Sequence, residues 1–378
     1  MKKIRVSDSS IPFDIVFSML KILPAISLMR FKCVCKSWRE LITDPLFVEA
    51  HQTHSQTRPE ATHLLIHCTN SMLNQYIFAA NHHGKVSSEF PTLQFRVPGP
   101  CTDIVNGLIC FYSYEHNRVA VLNLTTCETV TLPLIKSQSQ NPNCYRPSYN
   151  LGFDPVTRKF KVLSFWTVRI GDSKKVESEI LTLGTNSWRK IDGPVHKLRG
   201  KTVCVNGVVY WMNILPMNCK KAIQSFNVRE EKFLMVFIPD GASEYRQLIQ
   251  IEGKLALVCY ESYYPIRVDL WILENGDQGW EKKSIDLPVD LWANGLRSVI
   301  GTTNAGEIIL RDQENYSDAL KLTCYDMRTG KFRTIEICSP VELGKSGEYL
   351  SITSHVENIW PLKTPENSKK KRKRGRAV

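Results

Sequence analysis

Two hydrophobic rhythms divide the chain. Up to about residue 49 apolar side chains recur at three- and four-residue spacing, whereas from about residue 62 they fall into short runs separated by turn formers. In the first stretch Phe13, Val16, Phe17 and Leu20 make one apolar stripe. Ser9 and Ser10 offer caps, and Pro12 fits a first helical position, where its missing N–H would have had no partner. Pro24 ends this helix. A second short helix, from Ile26 to about Cys35, is apolar almost all round. A third, carrying Trp38, Leu41 and Ile42, stops at Asp44-Pro45, because the residue before a proline is pushed out of the α region. Leu46 and Phe47 close the unit, so the pattern predicts three helices. A unit this small cannot bury so many large apolar groups among its own helices. The surplus is read as a docking face.

Residues 51–61, HQTHSQTRPEA, are polar and irregular and read as a helix end running into a linker. Beyond it, runs such as His63–His67, Val119–Leu122, Lys254–Tyr260 and Glu307–Leu310 have strand length and are bounded by Gly, Asn, Pro or Asp. A turn-plus-strand unit recurs at Asn106-Gly107-Leu108, Asn206-Gly207-Val208, Gly253-Lys254-Leu255 and Gly306-Glu307-Ile308, and the glycine positions set a period near 50 residues. A second unit, out of phase with it, places a bulky residue on each side of a polar turn: Phe153 to Phe160, Phe226 to Phe233 and Tyr325 to Phe332. Each reads as a hairpin with a cross-strand pair. The period, at about four strands per unit, predicts a propeller. Residues 62–357 hold about six blades, with a β-sandwich as the alternative. Closure requires the strand near Tyr349–Val356 to pair with the first blade near Leu64–Ala79.

Composition narrows the chemistry only slightly. The 378 residues are 43% hydrophobic and 23% charged, ordinary for a globular protein of about two domains. No stretch of 18 or more apolar residues occurs, so membrane spanning and secretion are disfavoured and an intracellular protein is expected. Twelve cysteines are scattered without metal or redox spacing and read as reduced, mostly buried thiols. His51 and His54 lack a third ligand, so no metal or other cofactor is expected. Asn123-Leu124-Thr125 and Asn315-Tyr316-Ser317 fit the glycosylation pattern, which means nothing without a secretory route. No phosphate loop, Gly-x-Ser-x-Gly or His-Glu-x-x-His motif is present.

The ordered set Ile11-Pro12, Met19-Leu20, Leu23-Pro24, Ser27-Leu28, Arg30-Phe31-Lys32-Cys33-Val34-Cys35-Lys36-Ser37-Trp38, Leu41-Ile42 and Phe47 resembles the F-box. Ile11 and Met19 depart from its more usual residues conservatively. Later, Val105-Asn106-Gly107-Leu108-Ile109-Cys110, Gly152-Phe153-Asp154-Pro155-Val156-Thr157, Ser187-Trp188-Arg189 and Asp269-Leu270-Trp271-Ile272-Leu273 resemble the F-box-associated domain of plant F-box proteins. The resemblance implies a multidomain α+β chain: residues 1–10 disordered, an F-box at 11–50, a linker at 51–61, a mainly-β propeller-like domain at 62–357 and a disordered tail at 358–378. It also implies docking to a Skp-type linker protein and, through it, to cullin and RING subunits of a ubiquitin ligase. Ile11, Pro12, Leu20, Leu23, Pro24, Leu28, Phe31, Val34, Trp38 and Ile42 would then be linker contacts or their immediate support. The ring would capture an unidentified target protein without catalysis of its own.

For that target, aromatic, Met and Arg side chains in the longer inter-strand segments (136–149, 211–222, 239–246 and 260–266) are the expected contacts: Tyr145, Arg146, Trp211, Met217, Tyr245, Tyr263 and Tyr264. The chain closes on Lys369, Lys370, Lys371, Arg372, Lys373 and Arg374, followed by Gly375 and Arg376. These seven cations account for seven of the net charge of +12. The run is expected to stay solvated and to act as a nuclear import signal, in a protein shared between nucleus and cytoplasm. Nucleic acid is a disfavoured partner because no basic stripe on the ring reinforces it. Two other readings stay open from the sequence: a nuclear F-box protein working outside a ligase, and a propeller hydrolase.

Overall fold

In the computed structural model the described residues are 12–58, 62–69, 74–87, 90, 92–95, 102–113, 118–135, 144–170, 173–193, 202–212, 222–243, 245–260, 267–274, 279–288, 297–312, 319–340 and 349–362. The chain begins with four helices rather than three: α1 (Phe13–Lys21), α2 (Ala25–Phe31), α3 (Lys36–Thr43) and α4 (Pro45–Gln56). The signal at Asp44-Pro45 ends one helix and starts the next. Asp44 caps α4 by accepting a hydrogen bond from the Leu46 N–H at 2.9 Å, and Pro45 takes the first helical position. Helix α4 therefore continues through residues 51–56, expected to belong to a linker, and buries His51 and Ser55 completely.

The rest of the chain forms six sheets, one per blade. Blade 1 combines β1 (Thr62–Thr69), β2 (Gln75–Ala80) and β3 (Leu93–Phe95) with a strand from the far end of the chain. Blade 2 holds β4 (Leu108–Ser113), β5 (Arg118–Asn123) and β6 (Thr129–Thr131), with Val105 bridging Leu108 at its inner edge. Blade 3 contains β7 (Cys144–Asp154), β8 (Lys159–Ile170), β9 (Ser173–Thr182) and β10 (Arg189–Lys190). Blade 4 contains β11 (Thr202–Val205), β12 (Val208–Met212), β13 (Ala222–Asn227) and β14 (Lys232–Phe237). Blade 5 contains β15 (Tyr245–Ile251), β16 (Lys254–Tyr260), β17 (Arg267–Glu274) and β18 (Gly279–Asp286). Blade 6 contains β19 (Arg297–Thr302), β20 (Glu307–Asp312), β21 (Ala319–Asp326) and β22 (Lys331–Cys338). The last strand, β23 (Tyr349–Val356), pairs antiparallel with β1 along its whole length, from Thr62 opposite Val356 to Thr69 opposite Tyr349. The ring is closed by its own two ends.

Both repeat units have structural causes. Asn106-Gly107, Asn206-Gly207 and Glu252-Gly253 all have positive φ, from 46° to 82°, as a two-residue hairpin with two left-handed positions requires. In the second unit Phe153–Phe160, Phe226–Phe233 and Tyr325–Phe332 are directly opposed across their strands, each with ring centroids 4.7 Å apart. Their turns are held by the residue at the start. Asp154, Asn227 and Asp326 each accept a hydrogen bond from the backbone two residues on, at 3.0, 3.0 and 2.9 Å. Asn123 opens a fourth turn of this kind between β5 and β6.

Candidate functional site

Within the helical unit the side chains divide sharply by exposure. Leu20, Leu28 and Ile42 are fully buried and, with Ala25, Leu41, Phe47 and Val48, form the core of the four helices. These three hold the unit together, the supporting role that the expected set allows for. Leu23, Phe31 and Trp38 are half-buried around that core, with Phe31 meeting Trp38 edge-on at 5.3 Å. Pro12 and Pro24 precede α1 and α2, and Val34, in the turn before α3, is exposed. Ile11 lies outside the described residues. The surface instead carries Phe13, Ile15, Met19, Ile22 and Leu46, five large apolar side chains that are 49–72% exposed. Ile15, Met19 and Ile22 follow one another at spacings of four and three, so α1 has a second apolar stripe opposite its core stripe. That second stripe is exposed apolar surface, and its spacing is legible in the sequence.

The unit is fastened to the ring by the residues that follow β23. Glu357 accepts hydrogen bonds from the Ala25 N–H at 3.1 Å and from Arg58 at 3.3 Å. Pro24 has no side chain able to cap α2, so a carboxylate 332 residues away in the chain serves that helix end. Arg58 also donates to the carbonyl of Ile22, at the end of α1. Ile359 is 1% exposed and completes the helical core, while Leu362 is buried among the strands of blades 2 and 3. Asn123 is fully buried: its Nδ2 donates to the carbonyls of Asn358 and Trp360, both at 3.0 Å, and its Oδ1 accepts from the N–H of Thr125. Both ends of this amide are occupied in the folded chain. The segment 358–362 is therefore a strap between helices and ring, not the beginning of a disordered tail; its few apolar residues are too short a run to mark an element. Ion pairs reinforce it, Arg158 with Glu49 and Lys32 with Glu128.

Two histidines at this seam are held neutral. His51 is buried, and its Nε2 donates to the Leu23 carbonyl at 3.0 Å; burial pushes its pKa down to about 4. His355 lies under the Asn106-Gly107 turn with Nε2 2.9 Å from the Thr125 hydroxyl, and burial lowers it to about 3.

A cavity of roughly 340 Å³ among the inner strands of the ring is lined by Asp103, Thr202, Gln247, Thr302 and Ser351 among others, and Gln52 and Gln56 of α4 line an adjoining cavity. Asp103 is committed to Thr202, accepting its N–H at 2.9 Å, and burial drives the Cys204 thiol up to about 11. Among the described residues no group of three or more His, Cys, Asp or Glu is placed to hold a metal ion. No described helix is long and apolar enough to cross a membrane.

The expected target contacts are dispersed. Trp211 is core, 1% exposed, its Nε1 donating to Asn150 at 3.2 Å and its ring against Phe165. It sits on an inward position of β12, a placement that strand alternation decides and side-chain chemistry does not. Tyr145 and Arg146 belong to β7, whose pairing with β8 continues through a bulge between Tyr145 and Ser148. Tyr245 opens β15 opposite Tyr260. The supposed loop before residue 149 is thus strand from Cys144 onward; Pro147 misleads because a bulge accommodates it. Met217, Tyr263, Tyr264 and Lys369–Arg374 lie outside the described residues.

Comparison with known proteins decides the family. Residues 9–49 match the F-box domain, and residues 55–356, most of the chain, match the F-box associated beta propeller domain. The chain is a plant F-box protein. Its Arabidopsis thaliana relatives include the F-box protein At2g21930, 30% identical over 89% of this chain and 90% of the relative. F-box protein At1g30790 is 29% identical over 92% and 97%, and F-box protein DOR 28% identical over 92% and 93%. Among solved structures, TolB from Acinetobacter baumannii aligns at 10% identity over 82% of this F-box protein and 73% of TolB, with a TM-score of 0.45, too low to carry an argument.

Proposed function

We propose that this F-box protein is the substrate-recognition subunit of a Skp-cullin-F-box ubiquitin ligase. The helical unit docks a Skp-type linker and through it cullin and RING subunits; the ring holds a target protein for ubiquitination and degradation. The chain contributes proximity, not chemistry of its own. The observation that carries this reading is the second apolar stripe of α1: Ile15, Met19 and Ile22 stay exposed while every core position beneath them is filled.

Co-purification with the Skp-type linker tests it. Met19→Glu with Ile22→Glu places two charges on the exposed stripe without touching the core, and is expected to reduce linker recovery at least tenfold while the melting temperature of the chain stays within a few degrees of the wild type. Undiminished recovery overturns the assignment. Leu28→Ala is the contrasting variant, because it unfolds the unit instead of altering its surface. The proposal extends to location: the run Lys369–Arg374 directs import, so a fluorescent fusion truncated after Thr364 is expected to leave the nucleus.

A further inference from the structure

The ring meets the helical unit over an internal space with an unusual lining. The cavity of roughly 340 Å³ among the inner strands adjoins one of roughly 360 Å³ against α4, and Gln250, Asn304, Thr353 and Ser354 line both. Either volume falls in the range of roughly 300–1,000 Å³ that small-molecule sites span. Among the described residues no Lys or Arg and no Phe, Tyr or Trp lines either one, although the chain carries 49 Lys and Arg. The chamber against α4 instead gathers five carboxamides from separate parts of the fold. Gln52 and Gln56 stand one turn apart on the same face of α4, Asn106 and Asn304 sit in the inner hairpin turns of blades 2 and 6, and Gln250 is on β15 of blade 5. None of these five side chains is spent on a hydrogen bond to another described residue, and each can both donate and accept. His355, which also lines this chamber, is held neutral. Deeper in the ring the balance shifts toward acceptors. The hydroxyls of Thr302 and Ser354 donate to the carbonyls of Gln250 and Thr302, at 2.7 and 3.2 Å, and the amide nitrogen of Gln247 donates to the Val299 carbonyl. What these groups have left for a ligand is mainly lone pairs.

We propose that this space binds a neutral polyhydroxylated small molecule, the size of a mono- or disaccharide, which bridges α4 and the ring. A hydroxyl group both donates and accepts, so a polyol can donate to the lone pairs deeper in the ring and exchange both kinds of hydrogen bond with the five carboxamides. Ile104 and Val105, which line both chambers, offer apolar contact to its C–H face. The other ligand classes match less of the lining. An anion would meet Asp103 and Glu252 with no cation to offset them. An aromatic ligand would find no ring to stack on. An organic cation would have the two carboxylates but would leave the carboxamide N–H groups of the outer chamber unmatched. The position of the site has a consequence for the fold. One wall of the outer chamber belongs to the helices and the others to the ring, so a ligand that needs both walls stabilises their contact by mass action. This holds whatever the exposed face of the helices docks.

Saturation-transfer NMR and titration calorimetry on the full chain test it, with glucose, sucrose, sorbitol and myo-inositol as probes. At least one of the four is expected to bind with a dissociation constant of about 1 mM or tighter. It should lose at least tenfold in affinity on Gln250→Leu with Asn304→Leu, and again on Gln52→Leu with Gln56→Leu, two pairs that remove amides from the ring wall and the helix wall without touching a core position. Glucose 6-phosphate and spermidine serve as charged controls and are expected to bind at least tenfold more weakly than the best polyol. The bound polyol should also slow proteolysis near residues 57–61 severalfold in the wild-type chain and in neither double variant. Binding by none of the four, equal affinity for either double variant, a charged control that binds as tightly, or binding that leaves proteolysis unchanged each overturns the proposal. Should a double variant fail to fold, hydrogen exchange in the wild-type chain decides the same question. Slower exchange at residues 250–253 and 304–306 in the presence of the polyol supports the site, and unchanged exchange there overturns it.

Discussion

Glu357 joins parts of the fold that no local pattern connects. Its carboxylate meets the uncapped first turn of α2 and the partly buried guanidinium of Arg58, so removing it leaves a backbone N–H and a charge without their partner. Glu357→Ala is expected to destabilise the helical unit by about 1–3 kcal/mol and to raise hydrogen exchange at the Ala25 amide without altering the ring. His51 and His355 make a second prediction at this scale. Each is neutral in the folded chain at a pH where an unfolded histidine, with a pKa of 6.5, takes up a proton, so the unfolded state binds more protons and stability falls as pH falls. The loss begins below pH 6.5 and runs to about 4 for His51 and about 3 for His355, approaching a factor of about ten in the folding equilibrium per pH unit for each group. Thermal melting between pH 7 and 4.5 checks it, and His51→Gln should flatten the profile by its own share.

The strap is the element that decides how helices and ring are held together. It is also where reading the sequence alone fails. The helical stripes, the Asn-Gly turns and the paired aromatics are local patterns, and each appears in the structure where its spacing puts it. Ile359, Trp360 and Leu362 have no periodicity because they form neither helix nor strand; their partners lie far back in the chain, and the basic run that follows makes them look like the start of a tail. Asp44-Pro45 shows the opposite difficulty, one local signal with two meanings, end and start. The exposed stripe of Ile15, Met19 and Ile22 lies in plain view, yet the pattern points as readily to Leu20, Leu28 and Ile42, because apolar character alone does not say which side of a helix faces its own core. Two truncations isolate the strap. Ending the chain after Val356 is expected to release the helical unit, seen as rapid proteolysis near residues 57–61, whereas ending it after Thr364 should leave the cleavage pattern unchanged. Ile359→Ala should reproduce part of the first effect, at about 2–4 kcal/mol.

At the scale of the whole molecule, ring closure and helix placement depend on the same stretch of chain. β23 completes blade 1, packs beside β19 of blade 6, and continues directly into the strap. The tightest point of that seam is Gly301, where the pairing of β19 with β20 shifts register and the backbone approaches Ile352 so closely that a methyl group would overlap its carbonyl oxygen. The obstacle is backbone, not the end of a flexible side chain, so it cannot swing aside; β23 must move. Moving β23 disturbs Ile352 in the core between blades 6 and 1 and, a few residues on, Glu357 and Ile359 under the helices. Gly301→Ala is therefore expected to do two things from one site: lower the melting temperature of the ring by several degrees, and expose residues 57–61 to protease at a temperature where the wild-type chain resists. A variant that loosens the ring while the helices stay protected would show that the strap holds them without help from β23, and the two halves would then be independent in stability though continuous in sequence.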